Sequence, residues 1–161
     1  MTRKEKKREL LKKELREDME NLDLSLKALT YSFKKCSESG IKDDYSEEEL
    51  ESFEALTSRF ARTSDIFTQK ILVTLFVLIK ENPISFIDKA NRAEKIGIIT
   101  SSEELQDIRE LRNEIAHEYS SRDVTEIFEE VLQNTPLLIK SIEHAKSYVK
   151  KNIPFEPKPE S

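Results

Sequence analysis

The chain has 161 residues, enough for one domain with a buried core. Charged and hydrophobic residues each make up 37% of it, Gly occurs twice and Trp is absent; this composition argues against a sheet protein with Gly-rich turns and favours long helices. Cys36 is the only cysteine, no apolar run reaches the roughly 18 residues of a membrane span, and the charged start is unlike a signal peptide, so we expect a cytoplasmic protein without a membrane partner.

The net charge of −5 is distributed unevenly along the chain. Residues 1–13 hold seven Lys and Arg against Glu5 and Glu9, a balance of +5, so the remainder carries −10. An acidic body is not typical of a general nucleic-acid binder. The basic start could contact phosphate, but such a run is more often a solvated helix end.

The first predicted helix covers residues 3–36. Its apolar side chains fall on one stripe at helical spacing, namely Leu11, Leu15, Leu22, Leu26, Leu29 and Phe33. Residues 37–40 end it, and we expect Gly40 to take a left-handed cap conformation.

The second predicted helix begins at a capping box of Ser46 and Glu49 and runs to about Lys80. Its inner stripe consists of Phe53, Leu56, Phe60, Phe67, Ile71 and Leu75. Residues 71–79 are apolar almost all round, which predicts burial on more than one side.

Asn82 and Pro83 break the chain before a third predicted helix over residues 84–96, which Gly97 ends. Its inward side chains are predicted to be Phe86, Ile87, Ala90 and Ala93. Ser101 or Ser102 caps the fourth helix, whose apolar face is predicted to be Leu105, Ile108, Leu111, Ile115 and Ala116.

Asp123 caps the fifth predicted helix, with Glu126 at the capping-box position, and Pro136 is expected to kink or divide it. Residues 1–152 are thus predicted to form one all-α domain, an up-and-down bundle of about five helices. Exposed apolar surface on the short helices would also favour a homodimer. The Pro-rich tail, residues 153–161, is expected to be disordered.

Only one segment concentrates reactive side chains, and it is the end of the fourth helix, residues 112–119 (RNEIAHEY). The sequence shows no cluster with metal-ligand composition and no Gly-rich phosphate loop, so we expect neither a metal nor another cofactor. On a continuous helix, Arg112 and Tyr119 share a face, as do Asn113 and His117. Arg112 and His117 lie about 140° apart around the helix and only about one and a half turns apart along it. These side chains would form a polar strip beside the apolar stripe.

An imidazole and a guanidinium together suit metal-free cleavage of RNA. An imidazole can accept a 2′-hydroxyl proton near neutral pH, and a guanidinium binds phosphate through two donors. The leaving 5′-oxygen then needs an acid, which the second His117 of a twofold dimer would supply. The alternative is that Arg112 and His117 are ordinary surface residues or structural pairs.

The same residues carry a family resemblance. Arg112-x4-His117-x-Tyr119 resembles the signature of HEPN domains, specifically HepT-like toxins of bacterial and archaeal toxin–antitoxin pairs. Residues 58–67 are similar to the second-helix segment of that family, and residues 91–97 and 108–113 to its third and fourth helices. The resemblance covers roughly residues 10–150.

The resemblance implies a dimeric helical bundle with metal-independent endoribonuclease activity, as in type II or type VII toxin–antitoxin pairs. Arg112 and His117 would be the catalytic pair, Asn113 would order the site, and Tyr119 would lie at its rim. A minimal nucleotidyltransferase of the MNT type would be the antitoxin partner and could transfer AMP to a tyrosine, for which Tyr119 is the candidate.

Three further residues, Arg59, Arg62 and Asp65, could face the cleft in which the motif residues would act. The two arginines would then contact RNA, and Asp65 would orient Arg112 or His117. The alternative is that all three only form charge pairs on the helix surface. Two other functions stay open for the whole chain. It could be a non-catalytic partner or substrate-binding subunit of a nucleotidyltransferase, or a plain helical adaptor in which the motif is incidental.

Overall fold

The computed structural model describes residues 1–117 and 123–155, and within these ranges it is helical without a strand. The helices are α1 Arg3–Ser39, α2 Glu47–Asp65, a π-helical segment Ile66–Ile71, α3 Leu72–Leu78, α4 Phe86–Ile96, α5 Ser102–Ala116 and α6 Val124–Asn152. Because α2, the π segment and α3 follow one another without a break, they correspond to the second predicted helix, and the expectation of five helices is confirmed for the described residues.

The helix starts follow local side-chain chemistry. Thr2 and Ser46 each form a complete capping box with the Glu three residues later, and Asp123 accepts a hydrogen bond from the Thr125 backbone N–H. Of the two serines considered for the fourth helix, Ser101 is the cap. The third helix starts later than predicted, at Phe86, because Ser85 caps it.

Three helices end close to a residue with a positive φ angle. Gly97 takes the predicted left-handed conformation (φ 94°, ψ 18°). Gly40 has a positive φ of 71°, but its ψ of −178° lies outside the left-handed helical region, so that part of the prediction is wrong. Lys80, just past α3, is the one described non-Gly residue with positive φ, at 61°.

The core is formed by the predicted stripes of α1, α2, the π segment, α3 and α5 together with buried side chains of α4 and α6. Two details differ from the prediction. Ile87 is 58% exposed because the short α4 buries only its Ala90 and Ala93 side, and Ala116 is exposed at the end of α5. Of the two outcomes expected at Pro136, a kink or a division, division is excluded, because α6 runs unbroken from residue 124 to 152.

The packing order places α1 and α5 on opposite sides of the bundle. Helix α1 packs against α2, the π segment, α3 and α6, whereas α5 packs against α2, α4 and α6. The α2–α5 edge and the α1–α6 edge are therefore separate surfaces. None of the helices in the described ranges is long and apolar enough to cross a bilayer.

The tail that was expected to be disordered, residues 153–161, begins with side chains that contact the rest of the structure. Ile153 is buried, and the Phe155 ring lies 4.9 Å from the Arg16 guanidinium carbon. Residues 156–161 are outside the described ranges.

Candidate active site

An ion pair joins α2 to α5 at the candidate site. Arg112 Nε lies 2.6 Å from Asp65 Oδ1, and Arg112 Nη2 lies 2.8 Å from Asp65 Oδ2. A guanidinium that donates two parallel hydrogen bonds to one carboxylate is held in a fixed orientation. Of the two partners that the sequence suggested for Asp65, the structure shows Arg112.

The environment of this pair is partly open to solvent. The side chains of Arg112 and Asp65 are 23% and 32% exposed. The hydrogen bonds from Arg112 to Asp65 raise the pKa of the guanidinium above its already high ordinary value, so Arg112 is positively charged at every pH of interest. A phosphate group that approached from solvent would encounter an Arg112 guanidinium that is already hydrogen-bonded to Asp65.

His117 is the residue at which α5 ends. Its φ of −92° and ψ of 20° depart from helix geometry, and its backbone N–H donates to the carbonyl oxygens of Asn113 and Glu114, each at 3.2 Å. The imidazole and the Asn113 side chain are exposed. Because α5 ends at Ala116, the assumed continuous helix from Arg112 to Tyr119 is wrong; Tyr119 itself lies outside the described residues.

Arg59 contacts α1 and not the Arg112–Asp65 pair. Its Nη1 donates to the hydroxyl of Ser32 at 2.7 Å and to the carbonyl of Ala28 at 3.1 Å, both on α1. Arg59 precedes Asp65 by six residues, about 240° around a helix, so the two side chains point to different neighbours. Arg62 is exposed on the surface of α2.

Two features beside the site were not predicted. The π segment starts directly after Asp65, and Gln69 within it donates a long 3.4 Å hydrogen bond to Asp65 Oδ1. The buried hydroxyl of Ser64 has no hydrogen-bond partner among the residues that the structure describes. Single π turns occur often at functional sites, but sequence periodicity does not reveal them.

An acidic groove of about 190 Å³ runs between α5 and α6, lined by Asp107, Glu110, Glu114 and Glu130 among others. The three acidic residues of α5 precede His117 by ten, seven and three positions, so they share its side of the helix. A phosphate would be repelled along this groove.

No group of three or more His, Cys, Asp or Glu side chains is arranged to hold a metal ion in the described parts of the chain. Comparisons with models of protein families, with curated proteins and with solved structures gave no match to this chain.

Proposed function

We propose that this chain is a HEPN-like, metal-independent endoribonuclease that acts as the toxin of a toxin–antitoxin pair. The observation that carries the proposal is the fixed Arg112 guanidinium near the end of α5, one and a half turns before His117. The resemblance of residues 112–119 supplies the reaction, and the pairing of Arg112 with Asp65 supplies a device that orients the cation.

The proposed reaction uses two His117 residues and one or two arginines. One imidazole takes the proton of the 2′-hydroxyl, whose oxygen attacks the adjacent phosphorus. The bond from phosphorus to the 5′-oxygen breaks, and the leaving oxygen takes a proton from the other His117, in the second copy of a homodimer. Arg112 would bind the non-bridging oxygens as charge accumulates on them. The products are a 2′,3′-cyclic phosphate and a 5′-hydroxyl.

The proposed antitoxin is an MNT-type nucleotidyltransferase that neutralises the chain by binding or by AMP transfer from ATP to Tyr119. In the transfer, the tyrosine oxygen would attack the α-phosphorus of ATP, pyrophosphate would leave and the phenolic proton would pass to solvent. A phosphodiester at that tyrosine would place negative charge close to the motif and oppose binding of an RNA phosphate. Mass spectrometry of the chain co-expressed with such a partner would test this step. An unmodified Tyr119 peptide from fully neutralised protein would exclude AMP transfer at Tyr119.

One observation favours the alternative of a non-catalytic subunit. Both carboxylate oxygens of Asp65 are engaged with Arg112, and acidic side chains line the His117 side of α5. In that case the Arg112–Asp65 pair would only join α2 to α5, and RNA would not be a substrate.

The test is cleavage of cellular RNA by purified protein in EDTA, with growth arrest on induction as a second readout. We expect His117→Ala to reduce cleavage by at least about a hundredfold. His144→Ala, on α6, is the matched control, because it removes the other histidine of the chain and should leave cleavage unchanged. Equal cleavage by wild type and His117→Ala, or none by wild type, would overturn the proposal in favour of the non-catalytic subunit.

A further inference from the structure

A second groove lies on the opposite edge of the bundle, between α1 and α6. It is a shallow, open groove with a volume of about 530 Å³, and Leu26 contributes to its floor. Lys27, Tyr31 and Lys34 line it from α1, and Lys146 from α6. None of these residues belongs to the RNA-cleavage proposal.

The exposed ring of Tyr31 is the unusual feature of this groove. Tyr31 is 65% exposed, whereas most large apolar or aromatic side chains of α1 pack inward. Lys27 precedes it by four residues and Lys34 follows it by three, so all three side chains lie on one face of α1. A flat aromatic surface therefore has an ammonium group on each side along the helix.

The acidic residues of the groove do not pair with the ammonium groups of Lys27 and Lys34. Lys146 Nζ lies 2.7 Å from Asp23 Oδ1, and Glu143 is the other carboxylate beside it. Asp23 is thus paired with Lys146, and Glu143 interacts with the same ammonium group through its charge. Lys27 and Lys34 form no ion pair within the described residues.

We propose that this groove binds a nucleotide unit, with its base stacked on the Tyr31 ring and its phosphate between Lys27 and Lys34. Every base has a π face that stacks on an aromatic side chain, and lysines flanking the ring attract the attached phosphate. A ligand with an acidic group but no ring would leave Tyr31 unused, and an apolar ligand would leave both ammonium groups unused. The unit is either a free mononucleotide or part of a single RNA strand.

The binding experiment uses the His117→Ala protein, so that an RNA probe is not consumed whether or not the chain is a nuclease. The probes are a fluorescent mononucleotide and a fluorescein-labelled RNA of about ten nucleotides, each followed by anisotropy. Binding of the mononucleotide identifies a free nucleotide as the ligand, and binding of the RNA alone identifies a strand. Failure of both probes to bind overturns the proposal without bearing on cleavage at Arg112 and His117.

Variants then locate the bound probe. We expect Tyr31→Ala to weaken binding at least about fivefold and Tyr31→Phe to retain it, because the ring alone stacks. For the RNA probe, Lys27→Gln combined with Lys34→Gln should reduce the slope of log affinity against log salt by about 1.4. Lys95→Gln combined with Lys151→Gln removes the same charge from exposed positions outside the groove.

The control pair should bind either probe like the parent protein. Unchanged binding by Tyr31→Ala, or equal weakening by the two lysine pairs, would show that the probe does not occupy this groove. Since Tyr31, Lys27 and Lys34 are all exposed, these variants should fold, and circular dichroism checks that they do.

Discussion

The Arg112–Asp65 pair combines two hydrogen bonds with partial exposure to solvent. Exposed ion pairs contribute little to stability, and the two-pronged geometry raises that contribution only modestly. A double-mutant cycle of Asp65→Ala and Arg112→Ala, measured by urea unfolding, should give a coupling free energy of about 1 kcal/mol. A coupling near zero would mean that the two side chains do not pair in solution.

Cys36 leads to a prediction about reactivity and pH. The thiol is fully buried in the core, and burial raises its pKa from 9.0 to about 11. Since only the thiolate reacts, native protein should resist thiol reagents near neutral pH and react only on unfolding.

The same shift makes stability depend on alkaline pH. The unfolded chain releases the thiol proton near pH 9 and the folded chain near pH 11, so the contribution is complete below pH 9 and is lost as pH rises from 9 to 11. In Cys36→Ala this part of the decline in unfolding free energy should disappear. An identical alkaline decline in both proteins would contradict the assignment to Cys36.

At the scale of single residues, the sequence indicated which side chains to consider but not how they are arranged. The chain has only two histidines, which drew attention to His117, whereas the family resemblance singled out Arg112. That Asp65 meets Arg112, whereas Arg59 turns to α1, follows from the position of each on α2 and therefore needed the packed structure.

At the end of α3, Lys80 occupies a capping position that favours glycine. The Lys80 N–H donates to the carbonyl of Val77, and the Glu81 N–H donates to that of Phe76, the pattern in which Gly is preferred at the position of Lys80. A positive φ is sterically unfavourable for Lys. Lys80→Gly should therefore stabilise the protein by about 1 kcal/mol, raising Tm by roughly 2–4 °C.

Gly97 offers the matched reverse change, because it holds the same kind of position after α4 with φ at 94°. Gly97→Ala should lower Tm by a comparable amount. A fall in Tm for Lys80→Gly would show that the lysine side chain makes a compensating contact.

At the scale of helices, starts were predictable and some internal features were not. Capping depends on a few neighbouring residues, so Ser46 and Asp123 could be recognised directly. The π segment and the continuity of α6 across Pro136 depend on packing against other helices. The periodicity of the sequence carries no information about that packing. The end of α5 was likewise missed, because residues 117–119 carry no Gly or Pro.

For the molecule as a whole, the end of α6 is held by the burial of Ile153, and Phe155 just beyond it contacts Arg16 of α1. Ile153→Ala should lower the free energy of unfolding by about 2–4 kcal/mol, since it deletes a buried side chain. Ile84→Ala is the control, because Ile84 is 95% exposed and its removal should change stability by less than about 0.5 kcal/mol. Equal effects in a chemical unfolding experiment would contradict the packing of residue 153.

The π segment also has a consequence for motion. Its residues are hydrogen-bonded in the least common helical form, between two ordinary α-helices, and Asp65 immediately precedes it. We expect backbone amides of residues 66–71 to exchange with deuterium faster than those of α2 and α3, although Phe67 and Ile71 are buried. Local opening there would carry Asp65 away from Arg112 while the rest of the bundle stays folded. The fixed orientation of the Arg112 guanidinium would then depend on this segment staying closed.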